Sequence, residues 1–122
     1  MVKLSRPALG RLGEDRAVDH LRKAGYRIVE RNVRTRYGEI DIIAEEGGCL
    51  VFVEVRAMAS NVMAPEESVG PRKQRQVGSL AIRYLQERGK LESDWRVDVI
   101  AIEMTAAGKT ARLEHYVSAL ET

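Results

Sequence analysis

Residues 38–56 read GEIDIIAEEGGCLVFVEVR, two apolar runs separated by Glu46, Gly47 and Gly48. Ile40, Ile42, Ile43 and Ala44 surround Asp41, and the run from Leu50 to Val55 is apolar except for Glu54. Runs that are apolar on both alternating faces predict central strands covered on both sides. The glycine link predicts that residues 38–45 and 49–56 pair as an antiparallel hairpin. A carboxylate buried there without a partner is costly or keeps its proton. Asp41 and Glu54 therefore call for a neighbouring cation or metal.

Working outward, apolar residues Ala8, Leu9, Leu12, Ala17, Val18 and Leu21 keep helical spacing, which predicts a helix over residues 7–23 with Ser5 and Pro7 at its entry and Gly25 as its stop. Residues 26–33, YRIVERNV, predict a strand with one wet face. Residues 57–69 predict a loop. Val77, Leu80, Ala81, Tyr84 and Leu85 form one stripe of a second helix over 71–88, and strands follow at 95–103 and 111–117. The order is α-β-β-β-α-β-β in a single α/β domain spanning residues 1–122, a mixed sheet flanked by helices. The helix between the third and fourth strands permits that pair to run parallel through a right-handed crossover.

The chain is 44% hydrophobic and 31% charged, and no apolar run approaches the roughly 20 residues that cross a bilayer. The first residues are basic without a continuous apolar segment, so neither a signal peptide nor a membrane partner is expected, and the default location is cytoplasmic. Cys49 stands alone, which excludes an internal disulfide and a cysteine-based zinc site; its expected role is to start a strand. The net charge of +2 conceals a segregation. Residues 1–37 hold ten Lys/Arg against four Asp/Glu, and residues 70–90 hold six against one. Residues 38–69 hold one against seven, and residues 91–122 three against six. Basic flanks around an acidic centre suit a protein that grips a polyanion around a divalent cation, and equally suit two helices with solvated faces.

With a strand period of two, Glu54 and Arg56 share a face, and the hairpin can bring them together with Asp41 at one end of the sheet. Two carboxylates on adjacent strands can hold Mg²⁺, which keeps waters and takes phosphate oxygens. The same acids can instead form salt bridges with Arg56 and Arg34. Glu14 reads either as an exposed helical acid or as a site residue, Glu39 as a turn-edge charge or a further ligand, and Asp98 as a partner of Arg96 or of a helix cation. His20 and His115 lack ligand spacing and read as surface residues. The tyrosines and Trp95 show no interleaved basic and aromatic stripe of the kind that stacks bases.

The motifs Gly10-x-x-Gly13-Glu14-x-x-Ala17, Gly25-Tyr26, Arg31-Asn32 with Arg34, residues 38–44, residues 51–55, and Val69 with Lys73 run through nearly the whole chain. Together they resemble the YraN family of small bacterial proteins and, through it, the PD-(D/E)xK nuclease superfamily with its restriction-endonuclease-like core. The resemblance implies nucleic-acid binding and a Holliday-junction-resolvase type of endonuclease acting on branched or structured DNA with Mg²⁺ or Mn²⁺. It implies Glu14, Asp41, Glu54 and Arg56 as catalytic residues, with Asp41 and Glu54 on the metal. Arg56 departs from the superfamily, which usually has Lys at that position; Arg keeps its charge where Lys can change protonation. Arg72, Lys73 and Arg75 at the start of the second helix, with Arg34, are assigned to the nucleic acid. Cutting both strands of a symmetric junction would require a homodimer. The alternative is a non-catalytic interaction module for nucleic acid or protein that keeps the nuclease fold.

Overall fold

The computed structural model describes residues 5–60 and 71–119. Helix α1 (Arg6–Lys23) starts where the Ser5 hydroxyl accepts the Ala8 N–H at 3.2 Å, with Pro7 in the first turn. It presents Ala17, Val18 and Leu21 to one face of a five-stranded sheet. The strands are β1 (Arg27–Thr35), β2 (Gly38–Glu46), β3 (Cys49–Ala59), β4 (Trp95–Met104) and β5 (Thr110–Tyr116), and they lie side by side in chain order. Helix α2 (Pro71–Glu87) intervenes between β3 and β4, which are the one parallel pair; the other three pairs are antiparallel. The α-β-β-β-α-β-β order and the mixed sheet are as the sequence predicts.

The two sheet faces carry separate cores. Ile42, Ala44, Val51, Val53, Ile100, Ile102 and Met104 pack with α1. Ile40, Ile43, Leu50, Phe52 and Val97 pack with Val77, Leu80, Ala81, Tyr84 and Leu85 of α2, the predicted stripe. The central hairpin is closed by two residues, Gly47 and Gly48, both at positive φ, with Glu46 opposite Cys49. That conformation suits the tight primed turn and fixes the register of β2 on β3. Cys49 does begin a strand.

Two boundaries differ from expectation. β3 continues to Ala59, because Ala57, Met58 and Ala59 pair with Ile102, Glu103 and Met104 of β4 and so satisfy backbone groups that a loop would leave open. The rest of the predicted loop, Val69 included, lies outside the described residues. Alternation on β2 also slips: Ile40 joins the α2 core and Ile42 the α1 core, although strict alternation would put them on one face. The slip falls at Asp41. Among the described residues no helix is long and apolar enough to cross a membrane.

Candidate functional site

Pairing of β2 with β3 runs from Glu46↔Cys49 to Ile42↔Val53 and stops there. The Asp41 carboxylate takes over, accepting the Val55 N–H at 2.8 Å. A side chain thus replaces a ladder carbonyl, which explains how a carboxylate is tolerated in an apolar strand. It also turns Asp41 toward β3, where its carboxyl group hydrogen-bonds that of Glu54. Glu54 is 4% exposed, whereas Asp41 is only partly buried, short of the full burial that its apolar neighbours suggest.

Two cations meet the acid pair. Arg56 Nη2 lies 3.1 Å from Glu54 Oε1, and Lys73 Nζ, from the first turn of α2, lies 3.9 Å from the same oxygen. Burial pushes the Glu54 carboxyl up to about 7, the Asp41 charge adds to the rise, and Arg56 and Lys73 oppose it. Burial raises Asp41 as well, against the Val55 N–H and the Glu54 hydrogen bond, which lower it. Both shifts favour keeping a proton on the pair, as two like charges forced together do. Arg56 Nε is buried and has no hydrogen-bond partner among the described residues. An orphaned guanidinium donor beside two carboxyls is a place for an anionic oxygen.

Glu14 stands beside this cluster. Its side chain is mostly buried, accepts from Arg31 Nε at 3.1 Å and Asn32 Nδ2 at 3.0 Å, and has its acidity weakened chiefly by burial, with the nearby Asp41 charge contributing. Asn32 lies at φ 52°, a left-handed conformation that Asn tolerates better than most side chains, at the β1 position facing Asp41. Gly13, one residue before Glu14, lets α1 approach β3, since a Cβ there would sit 2.5 Å from the Ala57 Cβ. The glycine sets how closely Glu14 comes to the strand that carries Glu54 and Arg56.

The structure therefore brings Asp41, Glu54, Arg56 and Lys73 together, with Glu14 within electrostatic reach of Asp41. Lys73, assigned from sequence to the nucleic acid, lies at the acid pair. Arg72 and Arg75 are exposed on α2, and the exposed Arg34 pairs with Glu39 at 3.7 Å, while the Glu39 charge also bears on Asp41. Two carboxyls sharing a proton are a donor set that a hard divalent cation fits, the cation replacing the proton. No group of three or more His, Cys, Asp or Glu disposed to hold a metal occurs among the described residues, so water and substrate would complete the shell.

The family described as "Uncharacterised protein family UPF0102" matches residues 13–102, which include Glu14, Asp41, Glu54, Arg56 and Lys73. The chain belongs to the UPF0102 family. This is the family that the sequence motifs resemble under the name YraN. A UPF0102 protein of Pelotomaculum thermopropionicum is 43% identical over 116 residues, covering 94% of this chain and 97% of its own. UPF0102 proteins of Anaeromyxobacter dehalogenans and Geobacter metallireducens are 44% and 40% identical over 95% and 98% of this chain, and over 86% and 98% of their own.

A second polar network, of which the sequence offers only the Arg96–Asp98 pair, lies elsewhere on the α1 face. Asp98 is fully buried and accepts from His115 Nε2 at 2.7 Å, Arg96 Nε at 3.0 Å and the Ser118 N–H at 3.0 Å. His115 Nδ1 in turn lies 3.0 Å from His20 Nε2 of α1. These histidines are not surface residues, as the sequence suggests; they tie α1 to β4 and β5. Arg96 is the partner that the sequence assigns to Asp98.

Proposed function

We propose that this UPF0102 protein is a PD-(D/E)xK-type nuclease that binds branched or structured DNA and hydrolyses a phosphodiester with Mg²⁺ or Mn²⁺. The observation that carries the reading is the buried Glu54 carboxyl, hydrogen-bonded to Asp41 and flanked by Arg56 and Lys73 in a strand that is otherwise apolar. Packing alone favours a hydrophobic residue at that position, so the four groups are explained by what they hold.

In this reading Asp41 and Glu54 hold the cation, which when bound neutralises charge on the scissile phosphate and makes water more acidic. Arg56 offers its free Nε to a phosphate oxygen and stabilises the negative charge that develops there. Lys73 supplies what Arg56 lacks, an amine able to exchange a proton with the attacking water or the leaving oxygen. The water oxygen bonds to phosphorus as a P–O ester bond breaks, and the departing oxygen takes up a proton. Glu14 keeps Arg31 and Asn32 in place behind Asp41. Arg72, Arg75 and Arg34 contact phosphates without reading bases, so selectivity is for structure. Two copies act together on a symmetric junction.

One observation favours the runner-up, a binding module without catalysis. Arg56 and Lys73 already face the two acids, so the carboxyls have cationic partners without a metal. The experiment is incubation with linear, single-stranded and branched DNA, with and without Mg²⁺ or Mn²⁺, for the wild type, Lys73→Met and Arg56→Lys. Metal-dependent cutting of branched DNA that Lys73→Met abolishes and Arg56→Lys retains is expected. Retention of DNA by all three proteins with no cutting in either metal would establish the binding module.

A further inference from the structure

Between the β1–β2 turn and α2 lies a cleft of about 430 Å³, lined by Arg34, Arg36, Tyr37, Arg83, Tyr84 and Arg88 among others, with Glu87 as the acid in its wall. Tyr37 is 48% exposed, and two guanidinium groups lie against its ring: that of Arg83 at 3.8 Å and that of Arg36 at 5.1 Å from the centroid. Arg34 and Arg88 are engaged by Glu39 and Glu30. Among the described residues, Arg36 and Arg83 have no carboxylate partner. The turn is held in place by its backbone: the Tyr37 C=O accepts from Gln76 Nε2 of α2, and the Tyr37 N–H donates to the Thr35 hydroxyl. The Tyr37 hydroxyl takes no part in that anchoring, and the ring meets α2 through the Arg83 guanidinium. An exposed, rigidly presented aromatic ring flanked by uncompensated cations is the chemistry that receives a nucleobase and its phosphates.

We propose that this cleft binds single-stranded nucleic acid, with a base stacked at Tyr37 and the neighbouring phosphates on Arg36 and Arg83. The proposal rests on the reading of the acid pair as a nucleic-acid site and extends the path of the strand away from it. Lys73, at the acid pair, and Arg83, at the cleft, are both on α2, ten residues and therefore about 15 Å apart along its axis. At the stacked spacing of about 3.4 Å per nucleotide that span is at most about four nucleotides, and fewer for a more extended strand. The ligand is thus a duplex or junction with an unpaired arm that reaches from the carboxylates along α2, past the exposed Gln76, to Tyr37.

The test is binding without cutting. Fluorescence anisotropy in EDTA is measured for a labelled duplex carrying unpaired tails of zero, one, two, four and eight nucleotides, in DNA and in RNA. The affinity of the wild type is expected to rise about tenfold by a tail of four nucleotides and then level off, the gain of one stacked base. Tyr37→Ala should remove that gain and leave blunt-duplex affinity unchanged, while Tyr37→Phe should keep it. A gain with either sugar supports the cleft. Tail-independent binding by the wild type, a gain that survives in Tyr37→Ala, or equal competition by polyglutamate would overturn it. The two readings separate: a protein that cuts branched DNA but ignores tails loses only the cleft, and one that prefers tails but never cuts loses only the nuclease.

Discussion

At the scale of single residues, the acid pair makes the fold less stable in order to be present. The Glu54 carboxyl is raised in the folded protein from an ordinary 4.5 to about 7, so between those values the native state binds more protons than the unfolded chain. Stability falls with rising pH across that interval and is level above it. Glu54→Gln has no proton to lose there. Its stability relative to the wild type should therefore climb from pH 4.5 to pH 7 by an amount of order 1–3 kcal/mol, read from urea midpoints at several pH values. A difference independent of pH would mean that Glu54 is not strained by its neighbours. Lys73 shows what the sequence holds but does not announce. It stands at i of a stripe whose later members are Val77, Leu80 and Tyr84, so its place on the buried face of α2 is readable. Glu14 stands likewise at i of Ala17, Val18 and Leu21. What neither stripe reveals is that Lys73 meets Glu54 and Glu14 meets Arg31, since helix-to-sheet distances are set by packing.

At the scale of elements, α1 is seated by one close contact and one polar network. Gly13→Ala would place a Cβ 2.5 Å from that of Ala57, on a helix and a strand that cannot both yield freely. Alanine gains about 1 kcal/mol of helix propensity, and overpacking costs about 1–3 kcal/mol, so a net loss of up to about 2 kcal/mol is expected. Adding Ala57→Gly should restore most of it beyond additivity, a coupling that thermal unfolding of the four proteins would measure. Burial alone would raise the Asp98 carboxyl, but hydrogen bonds from His115, the Ser118 N–H and Arg96 outweigh it and hold the group below the usual aspartate value. A lowered pKa contributes stability that is complete above about pH 4 and is lost as pH falls further. Asp98→Asn should thus cost roughly 3 kcal/mol at pH 7 and about 1 kcal/mol less at pH 3, by chemical denaturation at each pH. The strands and helices were legible from apolar period and turn residues. The β2 slip at Asp41 was not, because a side chain standing in for a ladder carbonyl leaves no trace in a pattern of apolar residues.

At the scale of the molecule, the segregated charge maps onto the architecture. The acidic segment is the central hairpin, and the two basic segments are the α1–β1 arm and α2, one helix on each face. Binding to DNA is expected to weaken linearly in log K against log salt, by about 0.9 for each phosphate neutralised. Removing both exposed arginines in Arg72→Ala, Arg75→Ala should flatten the slope by about 1–2 units, measured on a branched DNA in EDTA. An unchanged slope would turn that side of α2 away from the DNA.

The side-by-side strand order has a kinetic meaning. β1–β2, β2–β3 and β4–β5 join chain neighbours through short turns, and only β3 and β4 must find each other across an intervening helix. Loop closure of that one pair is the slow entropic step, so the β1–β2–β3 meander forms ahead of it. Asp41, Glu54 and Arg56 all lie on that meander, and the Asp41 bond to the Val55 N–H is internal to one hairpin. The acidic half of the site is born early, while Lys73 arrives only when α2 docks. If the acid pair takes a divalent cation, Mg²⁺ present during refolding should raise the folding rate of the wild type and leave that of Asp41→Asn unchanged, acting as a template on a chain that is not yet folded.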